Sequence, residues 1–539
     1  MNASQTMAGR QFIAGRRIAS GEATLLSLRA VDGEATGHRF YPASCEEAAQ
    51  AAEAAQQAFA VYSQTTPQQR ARFLNAIADE LDALGEVFFA IAGQETALPL
   101  ARLQGERART SGQLRMFAGV IQRGDTFAAR IDTALAERQP LPRPDLRQYQ
   151  QALGPVAVFG ASNFPLAFST AGGDTAGGDT ASALAAGCPV VVKAHPGHMA
   201  TAELTAEAIV RAVVRCGLPG GVFNMIFGTD IGAELVRHPA IQAVGFTGSL
   251  AGGKALYQLA QQRPQPIPLF AEMSAINPLI ILPQALQTRA EALANELVAS
   301  FTLGGGQFCT RPGLILALRD AGLERFKSAL CAAVAGSPPQ VLLNAPTLQH
   351  YHQGVTALAA HPRIEKLASG IAAGAGQAQT LLWQAQVEDL LAQDTLLQTE
   401  VFGPLSLLVV VDDEAQLKAV VKALQGQLTA TVHAEADDGP LAASLLPLLC
   451  EKAGRVLFNG YPTGVEVCDA MVHGGPWPAT TDARGTSVGS RAIERFLRPV
   501  CLQNAPAALL PPALQDANPL NLLRLVNGQW TREAISSSH

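Results

Sequence analysis

The chain has 539 residues, of which 48% are hydrophobic and 16% charged, and its formal net charge is -6. This length exceeds one simple hydrophobic core, so we expect two or three domains, and the composition excludes global disorder. Without a basic excess, a signal-peptide pattern or a long apolar run, we expect neither a nucleic-acid partner nor a membrane span. The 8 scattered cysteines form no C-x-x-C pair, which favours reduced thiols in the cytoplasm.

The predicted elements change character along the chain. Residues 40–115 have helical spacing of Ala and Leu, which predicts amphipathic helices, and the Pro-rich stretch 130–150 reads as an excursion or linker. From 153 onward, short apolar runs alternate with helical segments, which predicts parallel sheets covered on both faces. The tail after 500 is rich in Pro and Asn, and we expect it to run over the surface. The predicted strands lie at 153–161, 189–193, 222–228, 243–248, 277–282, 314–318 and 405–411.

Three residues stand out as candidates for chemistry. Cys309 lies among glycines in LGGGQFCTRPG, where a thiolate is accessible to a substrate, although a buried structural cysteine is the alternative. Glu272 in FAEMSAINP follows a predicted strand in apolar surroundings, where a carboxylate can serve as a general base. For this residue taken alone, a capping or salt-bridged glutamate is the alternative. Asn163 in GASNFP offers an amide donor for an oxyanion hole, or it is simply a turn residue.

Two further motifs concern ligands. In GFTGSLAGGK, Gly248 and the following residues approach a phosphate-binding loop, but Ala255 stands where a Ser or Thr would bind Mg²⁺. Nucleotide hydrolysis is therefore disfavoured, whereas a pyrophosphate near a helix N-terminus capped by Ser249 fits the pattern. His195 and His198 lie close together in HPGH, but no cysteine or carboxylate motif accompanies them, so we predict no metal site.

Taken together, these stretches resemble the aldehyde dehydrogenase superfamily over residues 10 to 505. The resemblance rests on GASNFP, VVVKAHPGH, GFTGS, FAEMSAINP, GGGQFCT and TEVFGP, in this order. It implies an α/β fold with a Rossmann-like cofactor domain, a catalytic domain, a small strand-built oligomerisation element, and a homodimer or homotetramer. The implied boundaries are 1–130 with 150–272 for the cofactor domain, 273–480 for the catalytic domain, 131–149 with 490–505 for the oligomerisation element, and 506–539 for a C-terminal tail.

The resemblance also implies roles for individual residues. Cys309 would be the nucleophile and Glu272 the base, and Asn163 would form the oxyanion hole with the Cys309 backbone N–H. The implied cofactor contacts are Lys193 on the adenosine ribose, Gly248 and Ser249 at the pyrophosphate, Glu400 on the nicotinamide ribose and Phe402 beside the nicotinamide ring.

Departures from the common family pattern narrow the resemblance. Ala161-Ser162 replaces the usual Pro-Trp before the asparagine, and Glu272-Met273-Ser274-Ala275 replaces Glu-Leu-Gly-Gly. This combination resembles bacterial α-ketoglutaric semialdehyde dehydrogenases and NADP⁺-dependent fatty aldehyde dehydrogenases. We therefore predict oxidation of 2,5-dioxopentanoate to 2-oxoglutarate. The alternatives are an NADP⁺-dependent dehydrogenase of medium- or long-chain aldehydes, a CoA-acylating relative, and a non-enzymatic scaffold, and the retained Cys309 and Glu272 argue against the last two.

Two binding predictions follow from the same comparison. NAD⁺-selective members commonly have Glu three residues after the strand-end lysine, whereas here Pro196 stands three residues after Lys193. We therefore expect NAD⁺ or NADP⁺ as cofactor, with NADP⁺ favoured and its 2′-phosphate near Lys193 and His195. An acidic aldehyde also needs a cation for its distal carboxylate, and Arg311 is the predicted contact, with a structural arginine as the alternative.

A tandem duplication interrupts the segment after Asn163. TAGGD occurs at 170–174 and again at 175–179. Its glycine pairs disfavour a regular helix, so we predict that one copy leaves the helix as a loop. The helix then restarts near Asp179 and Thr180, with one of these residues as its cap. The alternative is a shifted helix start that moves Asn163 away from Cys309.

Overall fold

The computed structural model describes residues 7–170 and 179–536. The strands, numbered in chain order, are β1 Gln11–Ile13, β2 Arg16–Ile18, β3 Leu25–Leu28, β4 Ala35–Phe40, β5 Arg130–Asp132, β6 Leu146–Ala152, β7 Val156–Phe159, β8 Val190–Lys193, β9 Phe223–Ile226, β10 Ala243–Thr247, β11 Leu269–Glu272, β12 Pro278–Ile281, β13 Leu314–Leu318, β14 Gln340–Val341, β15 Glu365–Ser369, β16 Gln377–Ala378, β17 Leu381–Ala385, β18 Leu405–Val411, β19 Gln427–His433, β20 Ala453–Phe458, β21 Leu497–Gln503, β22 Arg524–Val526 and β23 Gln529–Thr531.

The α-helices begin where the sequence supplies caps. Ser44 and Thr66 both form capping boxes, with Glu47 and Gln69 as their partners. These two helices confirm the helical prediction for the first part of the chain. In chain order the helices are α1 Cys45–Tyr62, α2 Pro67–Asp82, α3 Glu86–Thr96, α4 Leu100–Arg123, α5 Asp179–Ala186, α6 Met199–Arg215, α7 Gly232–Arg237, α8 Leu250–Gln261, α9 Pro283–Thr302, α10 Leu323–Ala335, α11 Ala345–Ala360, α12 Val387–Leu391, α13 Glu414–Ala423 and α14 Gly439–Lys452.

The first sheet has the order β11-β10-β7-β8-β9-β1-β2. Its strands β7 to β11 pair in parallel, and β1 adds antiparallel to β9. Alternate residues of β7 enter different hydrophobic clusters, with Val156 and Val158 in one and Ala157 and Phe159 in the other. Both faces of the sheet are therefore covered, which confirms the predicted Rossmann-like arrangement.

The second sheet has the order β15-β17-β18-β13-β12-β19-β20. All of its pairings are parallel except that of β15 with β17. Leu279 and Ile281 pack on one face, while Ile280 packs on the other. This arrangement confirms the second α/β unit that the apolar strands predict.

The C-terminal tail is more ordered than the sequence indicates. Strands β22 and β23 extend a third sheet of order β21-β6-β5-β22-β23, in which β22 pairs in parallel with β5. Buried Arg524 ties this tail together by donating to backbone carbonyls, including that of Gln515 at 2.6 Å. The tail therefore adds two edge strands that its composition did not predict, while Gln529 and Trp530 remain exposed, in keeping with a tail at the surface. An oligomerisation role for the sheet stays a prediction.

Within the described ranges, no helix combines the length and the apolar character that a membrane crossing requires. The predicted loop of the TAGGD duplication falls at 171–178, outside the described residues. After it, α5 begins at Asp179, and Ala181 to Ala186 are buried. Asp179, predicted as a possible cap, instead pairs with Arg495, with 2.8 Å between Oδ1 and Nη2.

Deleting residues 175–179 tests the packing of this segment. The deletion leaves Asp174 directly before Thr180, so the sequence keeps an aspartate to pair with Arg495. We expect retained activity and a higher melting temperature, because fewer glycines lose conformational freedom on folding. Activity and Tm by thermal unfolding are the measurements, with Asp179→Asn in the full-length chain as the control that removes only the charge. Collapse of activity on deletion would contradict the argument.

Candidate active site

The predicted site residues meet in one cavity of about 890 Å³ between the two large sheets. Strands β10 and β11 end at its wall, as expected for a parallel sheet that binds ligands beyond its carboxyl edge. The predicted residues that line it are Asn163, His195, Gly248, Ser249, Glu272, Cys309, Glu400 and Phe402. Lys193 lies at the end of the neighbouring β8, and Arg311 lies elsewhere.

Glycine geometry shapes the loop that carries Cys309. Gly304, Gly305 and Gly306 have φ of 57°, 69° and 69°, a conformation that favours glycine. A Cβ at Gly306 would overlap the carbonyl of Gly403, so two loops approach each other there through backbone alone. Asn277 then holds the far side of the loop, because its Nδ2 donates to the carbonyl of Cys309 at 2.8 Å.

Asn163 is buried and faces the same loop. Its Nδ2 donates to the carbonyl of Gln307 at 3.0 Å, two residues before Cys309. The backbone after Asn163 is fixed by Glu106 of α4, which accepts the N–H groups of Leu166 and Ala167 at 2.8 and 2.9 Å. The asparagine amide is therefore preorganised next to the candidate nucleophile.

Glu272 and Cys309 are joined by a residue that the sequence analysis did not select. His473 Nε2 lies 2.9 Å from Glu272 Oε1 and 3.4 Å from Cys309 Sγ, and the His473 side chain is buried. Ser487 donates to the other carboxylate oxygen of Glu272 at 2.9 Å. A thiol, an imidazole and a carboxylate thus form one hydrogen-bonded unit at the floor of the cavity.

The surroundings of Cys309 determine whether its sulfur carries a proton in the resting protein. Burial, followed by the charge of Glu272, raises the pKa of Cys309 well above its usual value. The sulfur is therefore a thiol at neutral pH, and attack on a carbonyl requires a proton acceptor. Glu272 and His473 are the acceptors within reach of the sulfur.

The other end of the cavity carries polar groups suited to a nucleotide. Ser249 caps α8, as predicted, with its Oγ accepting the Gly252 N–H at 3.2 Å. Burial lowers the pKa of Lys193 to about 8 and raises that of Glu400 to about 7. Burial also lowers the pKa of His195 well below its usual value, so this histidine is neutral at pH 7 and offers hydrogen bonds rather than charge.

Arg311 contradicts the prediction that it meets a substrate carboxylate. Its side chain is 2% exposed, and its guanidinium donates to the backbone carbonyls of Leu405 and Val401. These bonds turn the side chain into the second sheet, away from the Cys309 thiol. Arg311 is only two residues from Cys309 in the sequence, but the two side chains point in different directions. Arg311 is therefore a structural arginine.

Comparison with known proteins agrees with this geometry. The family profile described as "Aldehyde dehydrogenase family" matches residues 21–497. The chain belongs to the aldehyde dehydrogenase family. It is therefore an oxidoreductase that acts on aldehydes, and the predicted fold class is confirmed.

Two curated relatives of this aldehyde dehydrogenase match almost its full length. It is 57% identical to the alpha-ketoglutaric semialdehyde dehydrogenase of Acinetobacter baylyi, over 97% of this chain and 99% of the relative. It is 50% identical to alpha-ketoglutaric semialdehyde dehydrogenase 2 of Azospirillum brasilense, with the same coverage. Betaine aldehyde dehydrogenase of Staphylococcus aureus, solved in complex with NAD⁺, superposes with a TM-score of 0.77 at 19% identity, covering 93% of this chain and 96% of that one.

His473 escaped the sequence analysis because it lies 164 residues from Cys309 in a stretch without a recognised motif. The only local signal is its place in HGGPWP, a loop rich in Gly and Pro. The ligand atoms of Glu272, Cys309 and His473 lie within 4.8 Å of one another. The prediction of no metal site, made from the absence of ligand spacing, stays a prediction, and we assign this cluster to acid–base chemistry.

Replacing His473 tests its part in moving the thiol proton. In His473→Gln the amide still donates to Glu272 but cannot accept a proton, so we expect the rate of acyl-enzyme formation to fall about a hundredfold or more. The measurement is the rate constant of the first-turnover burst of reduced cofactor across pH 6 to 9. His433→Gln, which changes another buried histidine outside the cavity, is the matched control. An unchanged burst rate would assign His473 a purely structural role.

Proposed function

We propose that this aldehyde dehydrogenase oxidises 2,5-dioxopentanoate to 2-oxoglutarate with NADP⁺ or NAD⁺. The observation that carries the proposal is the unit of Cys309, His473 and Glu272 at the floor of the cavity, where the distances are 3.4 and 2.9 Å. The choice of aldehyde is supported by the two relatives named for this substrate.

The first chemical step is attack by Cys309 on the aldehyde carbon. The thiol proton passes to Glu272, or to His473 Nε2 when the imidazole carries its own proton on Nδ1 and leaves Nε2 free to accept. As the carbonyl oxygen becomes negative, Asn163 Nδ2 and the Cys309 N–H donate to it. Donors of this kind contribute about 2.7–4 kcal/mol each in comparable sites.

The second step returns Cys309 to its starting state. After oxidation the acyl group remains on the sulfur as a thioester. Glu272 first releases the thiol proton to solvent and then takes a proton from the attacking water as its oxygen bonds to the acyl carbon. The C–S bond breaks, the sulfur recovers that proton from Glu272, and the product leaves as the carboxylate with its proton lost to solvent. Hydrogen bonds from His473 and Ser487 hold the carboxylate of Glu272 in place for this step.

A dinucleotide fits the remaining space. One cavity joins the capped end of α8 to Cys309, and its volume lies in the range typical of cofactor sites. When bound, the nicotinamide supplies the two-electron acceptor of the oxidation. Ser249 and the N-terminus of α8 would hold the pyrophosphate, while Glu400 and Phe402 would hold the nicotinamide ribose and ring.

NADP⁺ is the favoured dinucleotide because the residue three places after Lys193 is not the glutamate common in NAD⁺-selective members, although Asp230 lies within electrostatic range of Lys193. Pro196 stands there, and Lys193 is near. Glu95 also lines the cavity, but its oxygens accept hydrogen bonds from the Ala200 and Thr201 N–H groups. Its charge is therefore satisfied within the protein.

Glu272→Gln separates the two chemical steps. The variant lacks the base for hydrolysis but keeps His473 as an acceptor for the thiol proton, so we expect a burst of reduced cofactor close to one equivalent per site, followed by a weak steady state. Stopped-flow absorbance with 2,5-dioxopentanoate measures both phases, and Cys309→Ala, which should give neither phase, is the control. A normal steady-state rate would show that another group activates water. Equal rates with and without CoA would exclude acyl transfer to CoA.

The pKa of Lys193 gives a second test. The cation is present below pH 8 and lost above it, so kcat/KM for NADP⁺ should fall as pH rises through about 8. NAD⁺ has no 2′-phosphate, and its kcat/KM should change less over the same range. In Lys193→Gln the difference between the two profiles should disappear. A large preference for NAD⁺ at pH 7 would refute this assignment.

A further inference from the structure

An acidic aldehyde needs a cation at the end of the site away from the cofactor, and Arg311 does not provide it. The nucleotide cavity meets Cys309 on the side of Phe168, Glu400 and Phe402. Phe164 and Phe308 also pack around Cys309 or its neighbours, but among the described residues neither lines that cavity. When a nucleotide fills this cavity, the aldehyde has to reach Cys309 from the side of Phe164 and Phe308, which we call the aromatic side.

Helix α4 presents two arginines towards this aromatic side. Arg102 and Arg109 are seven residues apart, so they lie on one face of the helix about two turns from each other. The Arg102 guanidinium carbon lies 4.1 Å from the centre of the Phe164 ring and 5.7 Å from that of Phe308. Arg109 donates to the backbone carbonyl of Val465. The two rings that Arg102 contacts belong to the residues next to Asn163 and Cys309.

The local charges leave Arg102 available to a second anion. Its Nη1 donates to Glu106 Oε2 at 3.0 Å, whereas the other oxygen of Glu106 accepts the N–H groups of Leu166 and Ala167. A guanidinium has five N–H donors, and the Arg102 side chain is 25% exposed. The stack on Phe164 fixes the guanidinium plane without using those donors.

Arg109 strengthens the positive potential there. Burial, followed by the charge of Arg102, lowers its pKa to about 10, so it remains protonated at neutral pH, and it lies within electrostatic range of Cys309. Arg455 is also within range of Cys309, but its two Nη groups donate to the carbonyls of Gly464 and Pro462. Arg102 is therefore the arginine with donors left for a ligand, while Arg109 adds positive charge within range of Cys309.

We propose that Arg102 binds the distal carboxylate of the acidic aldehyde, with Arg109 adding positive charge at the same end. The aldehyde and carboxylate of 2,5-dioxopentanoate lie at opposite ends of a five-carbon chain. In this arrangement the chain runs beside the half-buried Phe308, with the aldehyde at Cys309. This assignment rests on the proposed function, and it gives an acidic aldehyde a cation near the aromatic side chains around Cys309.

The test compares 2,5-dioxopentanoate with pentanal, a neutral aldehyde of equal length, in wild type, Arg102→Gln and Arg102→Lys. We expect Arg102→Gln to lower the ratio of kcat/KM for the acid to that for pentanal at least about tenfold, mainly through KM for the acid, as for loss of a charge-assisted hydrogen bond. Arg102→Lys keeps the charge but not the planar fork, so it should recover part of the ratio.

Arg107→Gln is the matched control. Arg107 lies on the same helix, donates to the Leu84 carbonyl and stacks on Phe89, so it has similar contacts at a different place. Equal losses for both aldehydes in Arg102→Gln, or the same change of ratio in Arg107→Gln, would overturn the proposal, because they indicate a structural effect through Glu106 or the helix.

The same experiment keeps the proposal separate from the proposed function. If wild type does not prefer 2,5-dioxopentanoate to pentanal, the proposed substrate is wrong. The carboxylate site is then judged with 4-oxobutanoate against butanal. Selectivity for that acid that depends on Arg102 would retain the site, and its absence would remove it.

Discussion

The active site depends on keeping a carboxylate buried next to a thiol. Removing an ionised carboxylate from water without partners costs several kcal/mol, so Glu272 persists only because both of its oxygens accept hydrogen bonds. His473 and Ser487 supply these bonds from a segment that also runs beside β11. The first sheet positions the Glu272 carboxylate, and the 473–487 segment supplies the hydrogen bonds that offset the cost of burying it. The two parts of the chain therefore have to fold together before the site exists.

The parallel sheets were predictable because each strand carries its own signal. Central strands such as β8 and β18 are short apolar runs buried on both faces, and their length and flanking glycines separate them from helices. The same property explains why Asn163, Glu272 and Cys309 meet in one cavity. Each stands just after a strand or within a glycine turn, and parallel strands bring such positions to one edge.

The failures concern interactions between distant segments. His473 has no helical or strand periodicity around it, and its contact with Cys309 depends on how a long loop returns to β11. Arg311 has the right side chain close to the nucleophile in sequence, but the backbone carbonyls of Leu405 and Val401 were available to it in the fold. Strand β22 pairs in parallel with β5, almost 400 residues earlier, and local sequence carries no information about that pairing.

The backbone contact between Gly306 and Gly403 restricts how two loops of the active site can move. The first glycine belongs to the loop that carries Cys309, and the second directly follows Phe402, which we propose lies beside the nicotinamide. Because they touch through backbone atoms, no side chain can rotate away to absorb a displacement of either loop. A displacement of one loop would therefore press on the backbone of the other, and we expect the two loops to move together.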